Sequence, residues 1–199
     1  MKKIDHRIVF KKIYAPRKGH INLIDIPELY FLMVNGQGHP NDMMFQQAAQ
    51  TLYTVSYTLK FLIREEEQID YRVMPMEVIW SLEREKKQFS WTMMIMQPEL
   101  VTHIRYQQAL NIVTAKKKDV PLQSQLRLSA YHAGRCVQTL HIGEYDRMNE
   151  TLALMKDYGK AHGYETEQET HDIYLNDMRK TKPQNLKTIM LLKVSSNIR

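Results

Sequence analysis

The sequence contains a single cysteine, Cys136, and therefore offers neither an intramolecular disulfide nor a cysteine-based metal site. This usage is typical of a reducing compartment. The opening residues lack the apolar stretch of a secretory signal. No run of about 20 apolar residues is present that could cross a bilayer. We therefore expect a cytoplasmic protein with no membrane contact.

The motifs of common catalytic and cofactor sites are also missing. There is no P-loop, no Gly-x-Ser-x-Gly, no His-Glu-x-x-His and no dinucleotide fingerprint, since Gly36-Gln37-Gly38 lacks the third glycine. None of the four later histidines has metal-ligand spacing; these are His132, His141, His162 and His171. We predict neither a cofactor nor a metal.

The net charge of +6 raises the question of a nucleic-acid partner. The basic residues are scattered along the chain, and Lys116 to Lys118 suit a helix C-terminus, where cations meet the negative end of the helix dipole. No helix-turn-helix or zinc-finger signature accompanies them. We predict no direct nucleic-acid binding, and the sequence leaves a weak homodimer open.

The first half of the chain contains a predicted βαββ unit. An apolar strand at 29–34 ends at a glycine turn, and an amphipathic helix follows over 42–64. Two alternating runs at 71–80 and 89–96, joined by a polar turn at 83–88, predict a β-hairpin, with Pro75 marking an edge or a bulge. A helix over 98–117 leads out of the unit.

The second half repeats this order. A hairpin is predicted from strands 125–131 and 136–142 around a turn at 132–135; Gly143, a helix over 149–162 and strands at 171–175 and 188–194 follow. The predicted fold class is α+β, with two pseudo-symmetric βαββ repeats, antiparallel sheets, long helices packed outside and a ligand cavity between the halves. We assign one domain, 1–199: an irregular lead-in at 1–27, a first half at 28–118 and a second half at 119–199.

The candidate site residues are carboxylates and aromatics. Glu77 lies on a strand face otherwise made of Val73, Pro75 and Ile79. A carboxylate there loses hydration and could attract a cation, act as a general base or orient a water. The alternative is that this face of an edge strand is exposed. Aromatic surface for a planar ligand could be supplied by Tyr53, Tyr57, Trp80 and Trp91, although for any single one of them ordinary core packing is the more common role.

The second half offers its own candidates. Asp172 and Tyr174 share one strand face, whereas His171 points to the other. Asp172 could supply the second charge of a shared pocket, and Tyr145 a further hydroxyl. The alternative is a set of polar cross-strand pairs at a sheet surface.

Several runs of sequence resemble one known family. The segment from Phe31 to Asn41 (FLMVNGQGHPN) resembles the opening signature of GyrI-like small-molecule-binding proteins. Further similar runs are YTLKF at 57–61, MPME at 74–77 with Trp80, WTMMI at 91–95, QTLHIGEY at 138–145, IYLND at 173–177 and LKTI at 186–189. The resemblance covers nearly the whole chain. It is to the stand-alone branch of the family, whose members are not fused to a DNA-binding domain.

The resemblance implies paired βαββ units around a hydrophobic, aromatic ligand cavity, with pocket acids at Glu77 and at the position of Asp172. It also implies either drug binding, as in multidrug-responsive regulators, or hydrolysis of cyclopropane-bearing DNA-alkylating compounds by stand-alone members. Our hypothesis is a detoxifying hydrolase in which Glu77, assisted by Tyr145 or Tyr174, activates a water. Trp80, Trp91 and Tyr57 would clamp the apolar aromatic ligand, beside Tyr53, Met76 and His171. The alternatives are a non-catalytic multidrug-binding, sensing or sequestering module, and a DNA gyrase inhibitor-like protein.

Overall fold

The computed structural model describes residues 1–83 and 88–196. The strands are β1 (Lys2–Ile4), β2 (Ile21–Gln37), β3 (Ile69–Tyr71), β4 (Met76–Glu83), β5 (Gln88–Gln97), β6 (Arg127–Ile142), β7 (Tyr164–Thr166), β8 (Thr170–Tyr174) and β9 (Lys187–Ser196). The α-helices are α1 (His6–Val9), α2 (Lys11–Tyr14), α3 (Met43–Glu67), α4 (His103–Ala115) and α5 (Met148–Ala161). The polar turn predicted at 83–88 includes residues 84–87, which lie outside the described part of the chain.

The central sheet is antiparallel and closes on itself. Its strands follow the order β6-β2-β5-β4-β8-β9, and β9 pairs with β6 to complete a barrel. The sheet contains two units with the same order of elements, β2-α3-β4-β5 and β6-α5-β8-β9. In each unit the last strand lies between the other two: β5 lies between β2 and β4, and β9 lies between β6 and β8. The units meet where β2 pairs β6 and where β4 pairs β8. The predicted α+β fold with two βαββ repeats is confirmed.

The long helices pack on the outside of the barrel, as predicted. Apolar residues of α3 recur at steps of three and four, which places them on one helix face. The buried members of that face are Ala48, Leu52, Val55, Leu59 and Ile63. On the other unit, Met155 of α5 packs with residues of β6 and β9 in a separate small core. None of the described helices is long and apolar enough to span a bilayer.

The hairpin predicted at 125–142 is wrong. The segment is one continuous strand, β6, and it stays paired with β2 on both sides of the expected turn, with Ile26 opposite Gly134 and Glu28 opposite His132. Gly134 has φ +71°, a left-handed conformation that glycine adopts without strain. The pairing with β2 therefore continues through the glycine, and the chain does not reverse there.

The lead-in segment at 1–27 is more ordered than the sequence indicated. It forms β1, α1 and α2, and its last residues belong to β2, which begins at Ile21 instead of residue 29. Pro27 lies within β2 although proline cannot donate a ladder hydrogen bond. The ladder to β6 skips that position and resumes at Glu28. Pro75, expected inside a strand, immediately precedes β4.

Candidate functional site

The seam between β4 and β8 carries both predicted acids, but on opposite faces. Val78 lies directly opposite Asp172, and Glu77 lies opposite Ile173. Because directly paired residues share a face of the sheet, Asp172 points to the side covered by α3, and Glu77 points into the barrel. The expectation that the two carboxylates face a shared pocket is therefore not met.

Aromatic residues surround Asp172 on the helix side. The Trp80 ring stacks on Phe45 of α3 with ring centroids 5.4 Å apart, and Trp80 Nε1 donates a hydrogen bond of 3.2 Å to the Tyr174 hydroxyl. The Tyr145 ring meets Tyr174 edge to face at 5.6 Å. We call the predicted residues gathered on this face the helix-side site: Tyr53, Met76, Trp80, Tyr145, Asp172 and Tyr174. Tyr53, on α3, is half-buried, and burial raises the pKa of its hydroxyl.

Asp172 is a buried carboxylate without a partner for one of its oxygens. The residue is 4% exposed, and its Oδ1 has no hydrogen bond to any described residue. Burial disfavours the charged form and raises the pKa of Asp172 to about 7. Burial, and secondarily the charge of Asp172, also raises the pKa values of Tyr145 and Tyr174. At neutral pH the site therefore combines protonated phenols with a carboxylate able to take up or release a proton.

A second polar cluster lies inside the barrel. Glu77, only 1% exposed, accepts a hydrogen bond of 2.7 Å from the Tyr14 hydroxyl at Oε1 and contacts His171 Nε2 at 2.7 Å through Oε2. Burial and the Glu77 charge raise the pKa of Tyr14 well above its usual value, so the phenol remains a donor. His171 also meets the Tyr131 ring edge to face at 6.0 Å. We call Tyr14, Glu77 and His171 the interior cluster.

Two predicted aromatics belong to neither group. Trp91 is buried against Gly36, where an added Cβ would lie 2.2 Å from the indole ring, and it meets Phe45 edge to face at 5.2 Å. It is a core residue behind the helix-side site. Tyr57 is 46% exposed on α3, one turn from Tyr53.

Sequence reasoning missed two residues of these clusters. Tyr14 lies in the segment taken as irregular, and nothing in a single sequence indicates that it reaches Glu77, 63 residues away. Phe45 lies in α3, and its stacking on Trp80 depends on how the helix lies across the sheet, which local sequence does not indicate.

The described residues contain an open cleft at one end of the barrel. It has a volume of about 400 Å³, and hydroxyl, amide and carboxylate side chains line much of it, including Asn35, Ser81, Ser90, Thr92 and Glu169. Within residues 1–83 and 88–196, no group of three His, Cys, Asp or Glu side chains is arranged to hold a metal ion.

Several solved structures from Listeria innocua are similar to this chain, including the following two. One is described as a hydrolase; it is 34% identical to this chain, covers 96% of it and is itself covered completely, with a TM-score of 0.87. The other, described as an uncharacterized conserved protein, has the same identity and coverage and a TM-score of 0.90. The EcmrR C-terminal domain shares the fold at 10% identity and a TM-score of 0.54, over 89% of this chain and 98% of its own.

No curated protein matches the chain significantly. The model of the GyrI-like small molecule binding domain, by contrast, matches residues 20–195. That range includes both βαββ units and every residue of the helix-side site. The chain belongs to the GyrI-like small-molecule-binding domain family.

Proposed function

We propose that this protein binds planar lipophilic molecules at the helix-side site and hydrolyses a strained, electrophilic ring in some of them. The observation that carries the proposal is the buried Asp172 carboxylate, unpartnered at Oδ1 and bordered by the rings of Tyr145 and Tyr174. A carboxylate is costly to keep at such a depth without a partner. A bound ligand or a bound water would provide the missing partner.

Asp172 serves as the general base in this mechanism. A base whose pKa lies near the working pH is the most effective at taking a proton from water. The water oxygen forms a bond to a carbon of the strained ring while Asp172 takes the water proton. The strained carbon–carbon bond breaks, its electron pair moves onto the ligand, and Asp172 returns the proton there. The net change is the addition of one water.

The aromatic residues of the site bind and orient the ligand. Trp80 and Tyr174 are each half-buried and fixed to one another by the hydrogen bond between indole and phenol, so their rings are held before a ligand arrives. Tyr145 adds a protonated hydroxyl that can donate to a polar atom of the ligand. Glu77 has no part in the step, because it lies on the opposite face of the sheet with both oxygens already engaged.

Two further facts support the proposal, one concerning hydrolysis and the other ligand binding. A Listeria innocua protein 34% identical over nearly the full chain is described as a hydrolase. The matched family model is that of a small-molecule-binding domain, which agrees with a site for a compact ligand. The cyclopropane-bearing, DNA-alkylating compounds implied by the sequence resemblance are planar, lipophilic and strained, and they are the substrate class we propose for a protective, detoxifying role.

The test is incubation of a cyclopropane-bearing alkylator with the wild-type protein, Asp172→Asn and Glu77→Gln, followed by mass spectrometry. We expect the wild type and Glu77→Gln to add one water, and Asp172→Asn to be slower by roughly 10²- to 10⁴-fold, the usual contribution of a general base. Asp157→Asn, on the exposed side of α5, is the matched control and keeps full activity. Full turnover by a folded Asp172→Asn protein would remove Asp172 from the mechanism.

The unpaired carboxylate also favours a second function, the binding of lipophilic cations without chemistry, because a cation would pair with Asp172. Fluorescence titration with tetraphenylphosphonium separates the two. A protein that binds this cation in an Asp172-dependent way, yet adds no water to any alkylator, is a binding module.

A further inference from the structure

The outward side of α3 carries a row of aromatic side chains. The ring centroids of Tyr53 and Tyr57 are 6.4 Å apart, and those of Tyr57 and Phe61 are separated by the same distance. Tyr57 is 46% exposed and Phe61 is 44% exposed, whereas Tyr53 is half-buried. We call these three residues the outer stripe. Adjoining exposed apolar side chains of this kind mark surfaces that bind another molecule.

The side of α3 that carries the outer stripe is almost without charge. Residues 43–59 contain no Asp, Glu, Lys, Arg or His. Residues that follow one another at steps of three and four lie on one side of a helix, and this side is opposite the buried face of α3. Its members are Gln46, Gln50, Tyr53, Tyr57, Phe61 and Arg64. A helix with such a spacing on a second, largely uncharged side is suited to packing against another helix.

Two opposite charges flank the outer stripe, one beyond each end. The Arg64 guanidinium lies over the Phe61 ring, 5.0 Å from its centroid, and makes no ion pair with any residue that the structure describes. At the other end, Asp119 Oδ2 accepts a hydrogen bond of 2.8 Å from Gln50 Nε2. Within residues 1–83 and 88–196, Asp119 has no cationic partner either. The surface therefore offers an unpaired cation at one end and an unpaired anion at the other.

We propose that the outer stripe is the interface of a homodimer, in which α3 packs antiparallel against α3 of a second copy. A two-fold axis at Tyr57 places each residue opposite the one that is equally far along the helix on the other side of Tyr57. Tyr53 then faces Phe61 of the partner subunit. Arg64 faces Gln50 of the partner subunit and, beside it, Asp119 of the partner subunit. One register therefore joins the rings and pairs both charges, and a shift by one helical turn would separate the charges.

The dimer is expected to be weak, because a single helix crossing buries an area at the low end of specific interfaces. It would nevertheless reach the helix-side site, since Tyr53 belongs to that site as well as to the outer stripe. The dimer adds Phe61 of the partner subunit to the rim of the site. This last consequence rests on the proposed function, whereas the dimer does not, and its test needs no ligand or substrate.

Sedimentation velocity of the full chain, at concentrations from about 10 μM to about 1 mM, tests the dimer. We expect the wild type to pass reversibly from monomer to dimer in this range. Phe61→Glu should weaken association at least about tenfold, because it places two carboxylates in an apolar interface. Leu154→Glu is the matched control, since Leu154 is 59% exposed on α5, and this variant should dimerise as the wild type does. A wild type that stays monomeric at the highest concentration, or a Phe61→Glu protein that dimerises normally, would overturn the proposal.

A charge exchange tests the antiparallel register in the same assay. Arg64→Asp brings like charges together at two symmetric positions and should weaken the dimer about tenfold, and Asp119→Arg should do the same. The double variant restores two opposite-charge pairs and should dimerise nearly as the wild type does. This rescue cannot come from a general change in solubility or folding. A double variant no stronger than the single variants would overturn the proposed register.

A lipid surface is the other partner that an exposed aromatic row on a basic protein could bind. Cosedimentation with vesicles of phosphatidylcholine and phosphatidylglycerol distinguishes it from a second copy. We expect no binding that depends on Phe61. Vesicle binding that Phe61→Glu abolishes, by a wild type that forms no dimer, would overturn the homodimer in favour of the membrane surface.

Discussion

Replacement of Asp172 by asparagine is expected to stabilise the protein at high pH. The folded-state pKa of about 7 compares with about 3.9 in an unfolded chain. Between these two values the unfolded state releases a proton that the folded state retains, so folding stability falls by about 1.4 kcal/mol for each pH unit. The full penalty, reached above pH 7, is on the order of 4 kcal/mol. Asparagine has nearly the same shape and cannot ionise, and it removes this penalty.

The assay is urea unfolding of the wild type and Asp172→Asn at pH values from 4 to 8, followed by the fluorescence of the buried Trp91. The two proteins should be similar in stability near pH 4, and Asp172→Asn should be more stable by a few kcal/mol at pH 8. The difference between the two curves cancels the titration of every other group. Asp157→Asn should follow the wild type throughout.

A difference that stays constant from pH 4 to 8 would refute the reasoning, because it would mean that the carboxylate titrates in the folded protein as it does in the unfolded chain. Asp172 would then be neither desolvated nor poised as a base. An Asp172→Asn protein that is more stable than the wild type but slower in catalysis would instead show that the buried reactive carboxylate lowers the stability of the wild type.

Two further predictions concern the packing around the clusters. Gly36→Ala should lower the free energy of unfolding by about 1–3 kcal/mol, because the added Cβ collides with the Trp91 ring; an unchanged urea midpoint would show that the ring can move aside. Cys136 is 1% exposed, and burial raises the pKa of its thiol to about 12. The native protein should therefore resist a thiol reagent at pH 8 while the unfolded protein reacts at once; rapid labelling of the native state would contradict this burial.

Local patterns in the sequence were sufficient to predict the two repeated units. The stripe of Leu52, Val55 and Leu59 predicts α3 because its period matches a helix and its residues are all buried. The pattern fails at Gly134, where the same residue type supports either a reversal or a bend. The choice is made by β2, which pairs on both sides of the glycine and lies more than 100 residues away.

The sequence was sufficient to predict which residues make up the candidate site. It was not sufficient to predict how they are distributed between the two faces of the sheet. Because successive side chains of a strand point to opposite faces of the sheet, the sequence correctly places His171 and Asp172 on different faces. Whether Glu77 joins Asp172 or His171 depends on the register between β4 and β8, which no single sequence encodes locally. The contact of Tyr14 with Glu77 is also a tertiary contact, made by a segment with no regular pattern.

The seam between β4 and β8 has a consequence for how the protein matures. The bond from Trp80 to Tyr174 and the contact of Glu77 with His171 each join residues 94 positions apart. Contacts of such long sequence separation carry a large loop-closure cost and tend to form late in folding. A nascent or partly folded chain with only its first unit in place can therefore neither hold a ligand on one face nor form the interior cluster on the other. A compound that binds at the seam would favour folding of the entire chain, because it binds and stabilises only molecules in which both units have docked.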